Sequence, residues 1–159
     1  MNPVYQSVLT TPIGTVRILA NDTAITRIDF VDDDGPSTLA ENAVTLQAET
    51  QLREYFAGQR QTFELPLVPA GTAFQQRCWQ ALVQIPYGET RYYAEQAQLI
   101  QRPSAVRAVG AANGANPISI VVPCHRVIGK SGQLTGYAGG LDRKAWLLAL
   151  ERDAVTAGQ

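Results

Sequence analysis

Asn116-Pro-Ile-Ser-Ile-Val-Val-Pro-Cys-His-Arg-Val127 is an apolar run that ends at Cys124, and His125 beside it is the only histidine of the chain. Residues 117–122 are apolar except Ser119 and too few to span a membrane, so they predict a buried extended segment. A thiol attacks efficiently only as the thiolate, and an unperturbed cysteine with a pKa of about 8.5 is mostly protonated at neutral pH. We therefore expect His125 to activate Cys124, with a carboxylate from elsewhere in the chain orienting the ring.

The residues on both sides of this stretch extend the pattern. Pro123-Cys-His-Arg-Val127 is preceded by Asn116-Pro-Ile118 and followed by Gly136-Tyr-Ala-Gly-Gly140. This arrangement resembles the active site of the O6-alkylguanine-DNA alkyltransferases, repair proteins that move an alkyl group from guanine onto their own cysteine. The resemblance covers roughly residues 72–151. It implies DNA repair by direct damage reversal, in a single irreversible turnover.

The resemblance also implies a role for each matching residue. Cys124 is the alkyl acceptor, His125 takes its proton through a water, and Glu151 orients and charges the imidazole. Asn116 holds the turn around the active site, and Tyr93 helps to rotate the nucleotide and protonates the departing guanine. Together with Tyr93, three further positions would line the guanine pocket: Tyr137, Ala138 and, through its backbone, Val127. We expect a lowered pKa for the Cys124 thiol, since a shift of about two units requires only about 2.7 kcal/mol of preferential stabilisation of the thiolate.

Two short helical patterns, at about 92–100 and 104–113, predict a helix-turn-helix. Pro103 disfavours helix at the residue before it, and Ser104 can cap the helix that follows. The second helix has almost no bulky side chain, which allows its backbone to approach the groove of a duplex closely. The resemblance implies that Arg107 fills the space left by a flipped base. The residues we expect to contact DNA are Ser104, Arg107, Ala108, Gly110 and Asn113.

Charge is distributed unevenly along the chain. Residues 1–70 contain four basic and nine acidic residues, a net charge of −5, whereas residues 71–159 contain nine and five, a net charge of +4. Between residues 91 and 144 the net charge is +5. This asymmetry indicates that the C-terminal half faces a polyanion, and the expected partner is double-stranded DNA containing alkylated guanine.

The remaining patterns predict two domains, 1–70 and 71–159. In the first, β-branched runs at 4–9, 15–20 and 24–30 predict an antiparallel meander, which Asp32–Pro36 interrupts, and a helix follows at about 44–57. In the second, Thr72 and Gln75 form a capping-box pattern, glycine-rich turns at 129–140 predict a hairpin or wing, and Asp142 caps a final helix. The expected fold class is an α/β N-terminal domain, ribonuclease-H-like by the resemblance, and a mostly α C-terminal domain with a helix-turn-helix or winged-helix-like motif.

Composition limits the other classes of function. Two cysteines are too few for a disulfide framework, and no signal peptide or transmembrane run opens the chain, so we expect a cytosolic protein without contact to a membrane. Cys78 lies on a helical core stripe and is expected to be structural. No Cys/His cluster has zinc-ligand spacing, and we expect neither a metal nor a cofactor. We expect a monomer; cooperative binding along DNA and repair of O4-alkylthymine stay open.

Two alternatives remain at this point. A cysteine hydrolase would use Cys124, His125 and Glu151, although adjacent Cys and His rarely point the same way; turnover of a thioester would reveal it. A recognition module would bind alkylguanine without repairing it, but such modules lack the acceptor cysteine. The chain departs from the family pattern at three positions: Ala138 stands where serine is frequent, Gln96 where leucine is common, and Gln101 where glycine is common.

Overall fold

The structure, a computed structural model, describes residues 3–32 and 39–157. The chain divides into two compact units, Met1–Ala70 and Gly71–Gln159. The first unit contains three strands and a helix, and the second contains four α-helices, a 3₁₀ helix and two very short strands within the part of the chain described.

The N-terminal unit is an antiparallel meander covered by a helix. Strands β1 (Tyr5–Thr11), β2 (Gly14–Ala20) and β3 (Ile25–Val31) lie in the order β1-β2-β3, and helix α1 spans Ala43–Phe56. Alternate residues of β2, Val16 and Ile18, are fully buried, as are Leu52 and Tyr55 on α1. The period of two on the sheet and the helical spacing on α1 therefore form one core. The predicted meander is confirmed; Asp33–Pro36, part of the predicted break, lie outside the described residues.

The C-terminal unit is mostly helical. Helix α2 spans Ala73–Val83, and its predicted capping box is present. The backbone N–H of Gln75 donates to Thr72 Oγ1 at 3.1 Å, and the backbone N–H of Thr72 donates to Gln75 Oε1 at 2.9 Å. Cys78 and Leu82 on this helix are fully buried. Cys78 is thus a core residue, as predicted.

A helix-turn-helix follows, built from α3 (Tyr93–Leu99) and α4 (Val106–Gly114). In the turn, Gln101 has a φ of 62°, a left-handed conformation that glycine adopts without strain and other residues adopt at a cost. Ser104 does not cap α4, which begins two residues later than predicted; its N-cap is Ala105, which makes no side-chain capping bond. The predicted cap was therefore wrong.

The segment before Cys124 is buried as predicted, but it is not extended. The Val122 amide donates to the Ile118 carbonyl at 3.1 Å, and Ile120 has a φ of 73°. The chain folds back on itself here, so that backbone hydrogen bonds within the segment replace those of a sheet. A short apolar run in a sequence cannot distinguish these two ways of satisfying buried backbone groups.

Four elements complete the unit. A 3₁₀ helix spans Cys124–Arg126, strand β5 (Val127–Ile128) pairs in parallel with β4 (Arg91–Tyr92), and helix α5 spans Leu141–Ala157. The predicted hairpin or wing at 129–140 has no strands and consists of turns. Asp142 lies in the first turn of α5 instead of capping it.

Candidate active site

Cys124 begins the 3₁₀ helix and is 7% exposed. The Asn116 amide nitrogen donates to the Val122 carbonyl at 2.8 Å and lies 3.3 Å from Cys124 Sγ, while Asn116 Oδ1 accepts from the Ile118 amide at 3.0 Å. One buried side chain thus ties both ends of the folded-back segment to the sulfur. Asn116 fixes the position of the thiol as well as the turn that carries it.

Burial raises the pKa of the Cys124 thiol above its usual value. The hydrogen bond from Asn116 and the positive charge of Lys144 act in the opposite direction but do not outweigh it. The expected lowered pKa is therefore wrong for this structure. Desolvation disfavours the thiolate, and the thiol is protonated at neutral pH.

His125 forms a short hydrogen bond with Glu151. Their side chains are 0% and 1% exposed, and His125 Nε2 lies 2.6 Å from Glu151 Oε2. Burial alone would raise the pKa of Glu151, but hydrogen bonds and charge from His125 and Arg126 outweigh it and lower that pKa to about 2. Glu151 is ionised at neutral pH and can only accept. His125 Nε2 must therefore carry the proton in this bond.

The assignment of the proton to Nε2 determines the state of the other ring nitrogen of His125, Nδ1. Burial lowers the pKa of His125, so the ring is neutral at neutral pH and its Nδ1 bears a lone pair. Nδ1 is buried and has no hydrogen-bond partner among the residues that the structure describes. A buried, unpaired acceptor held at a fixed angle can take a proton from a neighbouring group.

Arg126 is a site residue that sequence reasoning missed. Its Nε donates to Glu151 Oε1 at 2.8 Å, its Nη2 donates to Glu151 Oε2 at 3.0 Å, and its Nη1 donates to the Ile85 carbonyl at 2.7 Å. The Gly88 amide also donates to Glu151 Oε1, at 3.2 Å. At least four donors therefore hold the Glu151 carboxylate. Cys124, His125 and Arg126 occupy one 3₁₀ turn. Within this turn the side chains of His125 and Arg126 both reach the Glu151 carboxylate.

Tyr93 is held by the loop before α5. Its hydroxyl donates to the Thr135 carbonyl at 3.0 Å and accepts from the Thr135 hydroxyl at 3.2 Å. A Cβ added at Gly110 of α4 would lie 3.8 Å from its ring. The single hydroxyl proton of Tyr93 is thus already engaged, and it must leave Thr135 before it can reach a substrate.

Lys144 is the second residue that sequence reasoning missed. Although cationic, it is 0% exposed; its Nζ donates to the Thr135 carbonyl at 2.7 Å and lies 5.8 Å from the centre of the Tyr93 ring. Burial lowers its pKa, and the negative charge of a Cys124 thiolate would raise it. The buried Lys144 ammonium is a positive charge that can stabilise negative charge developing on the Cys124 sulfur. On α5 it follows Asp142 by two residues and reads as an ordinary surface residue.

The three predicted pocket residues differ in exposure. Val127 is fully buried in β5, Tyr137 is 8% exposed, and Ala138 is exposed. Burial raises the pKa of Tyr137 well above its usual range, and a Cys124 thiolate would raise it further. Tyr137 is therefore neutral and near the sulfur.

The residues predicted to contact DNA also differ in exposure. Ser104, Arg107 and Ala108 are exposed, and Arg107 forms no ion pair with any residue in the described ranges. Gly110 is half-buried against Tyr93. Asn113 is only 3% exposed and its amide bonds inward to Gln96, so the structure contradicts the predicted DNA contact of Asn113.

The described residues lack both a metal-binding cluster and a membrane-spanning helix. Residues 3–32 and 39–157 contain no group of three or more His, Cys, Asp or Glu side chains able to hold a metal ion. No helix in these ranges is both long and apolar enough to cross a membrane.

Two family models match this chain. The ribonuclease-like domain of 6-O-methylguanine DNA methyltransferase matches residues 4–69, and the DNA binding domain of 6-O-methylguanine DNA methyltransferase matches residues 73–153. The chain is 51% identical over 148 residues to a methylated-DNA–protein-cysteine methyltransferase of Mycobacterium leprae, covering 91% of this chain and 90% of that protein. It is 49% identical over 157 residues to the constitutive enzyme of that name from Bacillus subtilis, covering 93% and 95%.

Solved structures agree with these matches. The O6-methylguanine methyltransferase of Mycobacterium tuberculosis superposes with a TM-score of 0.86 at 43% identity, covering 98% of this chain and 99% of that one. The same organism's OGT in complex with DNA gives 0.86 at 45% identity, covering 94% of each chain. The predicted fold class, an α/β ribonuclease-like domain followed by a helical domain with a helix-turn-helix, is confirmed. The chain belongs to the 6-O-methylguanine DNA methyltransferase family.

Proposed function

We propose that this protein repairs double-stranded DNA by transferring the alkyl group of O6-alkylguanine to its own Cys124. The observation that carries the proposal is the buried Cys124, held by Asn116 and followed directly by the 2.6 Å His125–Glu151 hydrogen bond. Methylated-DNA–protein-cysteine methyltransferases with about half of their residues identical to this chain support the same reaction.

The reaction is an in-line displacement. Cys124 Sγ attacks the alkyl carbon, a carbon–sulfur bond forms, and the bond from that carbon to the guanine oxygen breaks with its electron pair leaving on the oxygen. The thiol proton passes through a water to His125 Nδ1, the free acceptor, while Glu151 stabilises the resulting imidazolium. Tyr93 donates its hydroxyl proton to the departing guanine, which leaves neutral, and the phenolate left on Tyr93 balances the charge of the His125 imidazolium until the two recover their resting protonation through solvent.

Because the pKa of Cys124 is raised, the thiolate forms only during the attack and is not present at rest. A thiol that is protonated at rest is protected from non-specific alkylation and oxidation, because the thiolate is the reactive species. Deprotonation then belongs to the attack itself, with Lys144 and the forming imidazolium stabilising negative charge on sulfur. The protein therefore does not depend on a standing thiolate.

Substrate binding is assigned to α4 and the loop that carries Tyr137. The small residues at the surface of α4 allow close approach to a groove, and exposed Arg107 fills the gap left when the base is extruded. Tyr137, Ala138 and the backbone of Val127 line the guanine pocket. Phosphate contacts come from the exposed arginines and lysines of the C-terminal half, whose net charge is +4.

The product is a thioether, and none of the site residues can cleave it. The protein is therefore consumed, one molecule for each lesion. No cofactor is required, and we propose that the protein acts as a cytoplasmic monomer.

Intact-mass spectrometry tests this proposal. After incubation with a duplex containing O6-methylguanine, each chain should gain the mass of one methyl group, located on Cys124 by peptide mapping. Cys124→Ala, the matched control, should gain nothing and yet retain or prolong binding to the alkylated duplex, because the pocket does not depend on sulfur. Methyl transfer by Cys124→Ala, or wild-type binding without any gain in mass, would overturn the assignment.

A further inference from the structure

Gln96 and Asn113 form a reciprocal amide pair inside the helix-turn-helix. Gln96 Nε2 donates to Asn113 Oδ1 at 2.9 Å, and Asn113 Nδ2 donates to Gln96 Oε1 at 2.7 Å. Gln96 Nε2 also donates to the Cys78 carbonyl of α2 at 3.1 Å. The two side chains are 2% and 3% exposed. Two amides therefore connect α2, α3 and α4 by three directional bonds in a buried location.

A neighbouring hydrogen bond acts at the same end of α4. The indole nitrogen of Trp79 on α2 donates to the Ala112 carbonyl at 2.8 Å and is buried. Asn113 and Ala112 lie in the last part of α4, so directional contacts concentrate at its C-terminal end.

The rest of the buried face of α4 offers little that could fix its axial position. Its other buried side chains are Val109 and Ala112, and half-buried Gly110 lies against Tyr93. Small side chains allow close packing but interlock poorly, so apolar contact alone discriminates weakly between neighbouring registers. A buried polar pair does discriminate, since a slip of one position would leave both amides unpaired.

We propose that Gln96 and Asn113 are positioning residues that set the register of α4 on α3 and thereby the place at which Arg107 meets the duplex. Arg107 precedes Asn113 by six residues, about 9 Å along the helix axis, and a slip of one residue moves it by about 1.5 Å and about 100° around the axis. Arg107 itself makes no ion pair within the described residues, so its position depends on the helix. This inference rests on the proposed function, because it concerns the delivery of Arg107 during base extrusion.

The test replaces the pair with apolar residues of similar shape, Gln96→Met together with Asn113→Leu. Removing both partners of a buried polar pair is often neutral or stabilising. We expect a midpoint of chemical unfolding that is unchanged or higher, and methyl transfer from duplex DNA slowed by about tenfold or more, since displacements near 1 Å cost up to about 10²-fold. Transfer from free O6-methylguanine base, which needs no extrusion, should stay within about twofold of wild type.

Gln51→Met is the matched control. Gln51 is also a buried glutamine, 5% exposed, with bonds of 3.1 Å to the Glu64 carbonyl and 2.9 Å from the Glu64 amide in the N-terminal unit. It should lower the unfolding midpoint and leave the ratio of duplex to free-base transfer unchanged. That ratio therefore separates loss of a buried amide from loss of helix register.

A second variant keeps the inference testable if the apolar pair fails to fold. Gln96→Asn combined with Asn113→Gln retains two facing amides of the same combined length, and it should return duplex transfer to within about threefold of wild type through restored pairing. Duplex transfer at the wild-type rate in the folded apolar variant, equal losses on both substrates, or a swapped pair with no recovery would each overturn the inference. Wild-type protein that transfers from neither substrate would instead overturn the proposed function on which it rests.

Discussion

Asp29 in the N-terminal unit binds two arginines, and Glu151 in the C-terminal unit binds a histidine and an arginine, but the two environments are opposite. Asp29 accepts from Arg17 and Arg27 at 2.8 and 2.9 Å, and its side chain is 21% exposed beside arginines that are 35% and 49% exposed. Glu151 accepts from His125 and Arg126 at 2.6 and 2.8 Å, and all three side chains are at most 7% exposed. Water solvates the first cluster and is excluded from the second.

From this difference we infer which of the two clusters serves the proposed chemistry. Exposed pairs contribute about 0–1 kcal/mol each, and the N-terminal unit can form or lose them cheaply. Burying charges costs several kcal/mol per ion before their attraction repays it, so a cluster such as Glu151 is retained at the expense of stability. A buried, fully bonded carboxylate that fixes the tautomer of the only histidine is the arrangement expected of a site, whereas Asp29 is a surface contact.

The largest expected effect comes from removing the charge of each carboxylate in turn. Glu151→Gln leaves Arg126 buried without a counter-charge and should lower the free energy of unfolding by about 3–5 kcal/mol. Asp29→Asn, the matched control, should lower it by about 1 kcal/mol or less. Urea denaturation at neutral pH measures both. Similar losses in the two variants would contradict the contrast drawn between the clusters.

Glu151→Gln should also slow methyl transfer, since the neutral amide no longer stabilises the imidazolium of His125. Affinity for duplex DNA should change far less, because Glu151 is not proposed to contact phosphate. If the pH dependence of Cys124 reactivity in a folded Glu151→Gln protein matched that of wild type, the proton relay would be wrong.

Acid should produce the next largest effect. The folded pKa of Glu151 is about 2 against an ordinary value of 4.5, so its contribution to stability is present above pH 4.5 and is lost as pH falls towards 2. A difference of this size corresponds to about 3 kcal/mol. Burial also lowers the folded pKa of His125 below 6.5, so the unfolded chain takes up a proton first below that pH and the loss of stability begins there. Unfolding free energies measured from pH 7 to pH 3 should decline with this shape, and the decline below pH 4.5 should be much shallower in Glu151→Gln.

A smaller effect on stability is expected from Lys144→Met. The substitution removes a bond to the Thr135 carbonyl and relieves the burial of a charge, two changes that oppose each other and should leave stability within about 1 kcal/mol. The pKa of Cys124 should rise further, because the nearest positive charge acting to lower it is lost. Alkylation by iodoacetamide, followed against pH, should shift to higher pH in Lys144→Met and stay unchanged in Lys130→Met, an exposed lysine. Equal profiles for both variants would rule out the proposed effect of Lys144 on the thiol.

The contrast between the units also explains what could be predicted from the sequence. The meander and the helix-turn-helix follow from local periodicity, and the Thr72 capping box follows from capping; these were confirmed, whereas the Ser104 cap was wrong. Lys144 and Glu151 instead share the buried side of α5 with Leu147, while Trp146 and Leu150, the residues predicted to face inward, are only half-buried. A charged residue buried for function has the same sequence pattern as one on a solvated face, so periodicity cannot identify it.

The error over Cys124 has the same origin. An adjacent histidine predicted an activated thiolate, but the pKa of a thiol depends on burial as well as on neighbouring charge. Cys124 follows the folded-back segment 118–122, whose left-handed Ile120 gives no signal in the sequence, so its burial could not be predicted locally. The residue types indicated a Cys/His pair with a carboxylate, the resemblance implied the role of each residue, and the resting protonation state of the thiol required the structure.

The smallest expected effect on stability belongs to Arg107→Ala, which is therefore the sharpest test of an exposed charge with a function. Arg107 is exposed and unpaired among the described residues, so unfolding should change by no more than about 0.5 kcal/mol. Extruding a base costs a few kcal/mol, and a side chain that fills the vacated space offsets part of that cost. Transfer from duplex DNA should fall by about tenfold or more while transfer from free O6-methylguanine base stays within about twofold. Arg107→Lys should recover only part of the loss, because a phosphate contact would need only the charge and a space-filling role also needs the planar guanidinium. Equal losses on duplex and free base would mean that Arg107 supports the pocket, and the placement of α4 in a groove would have to be withdrawn.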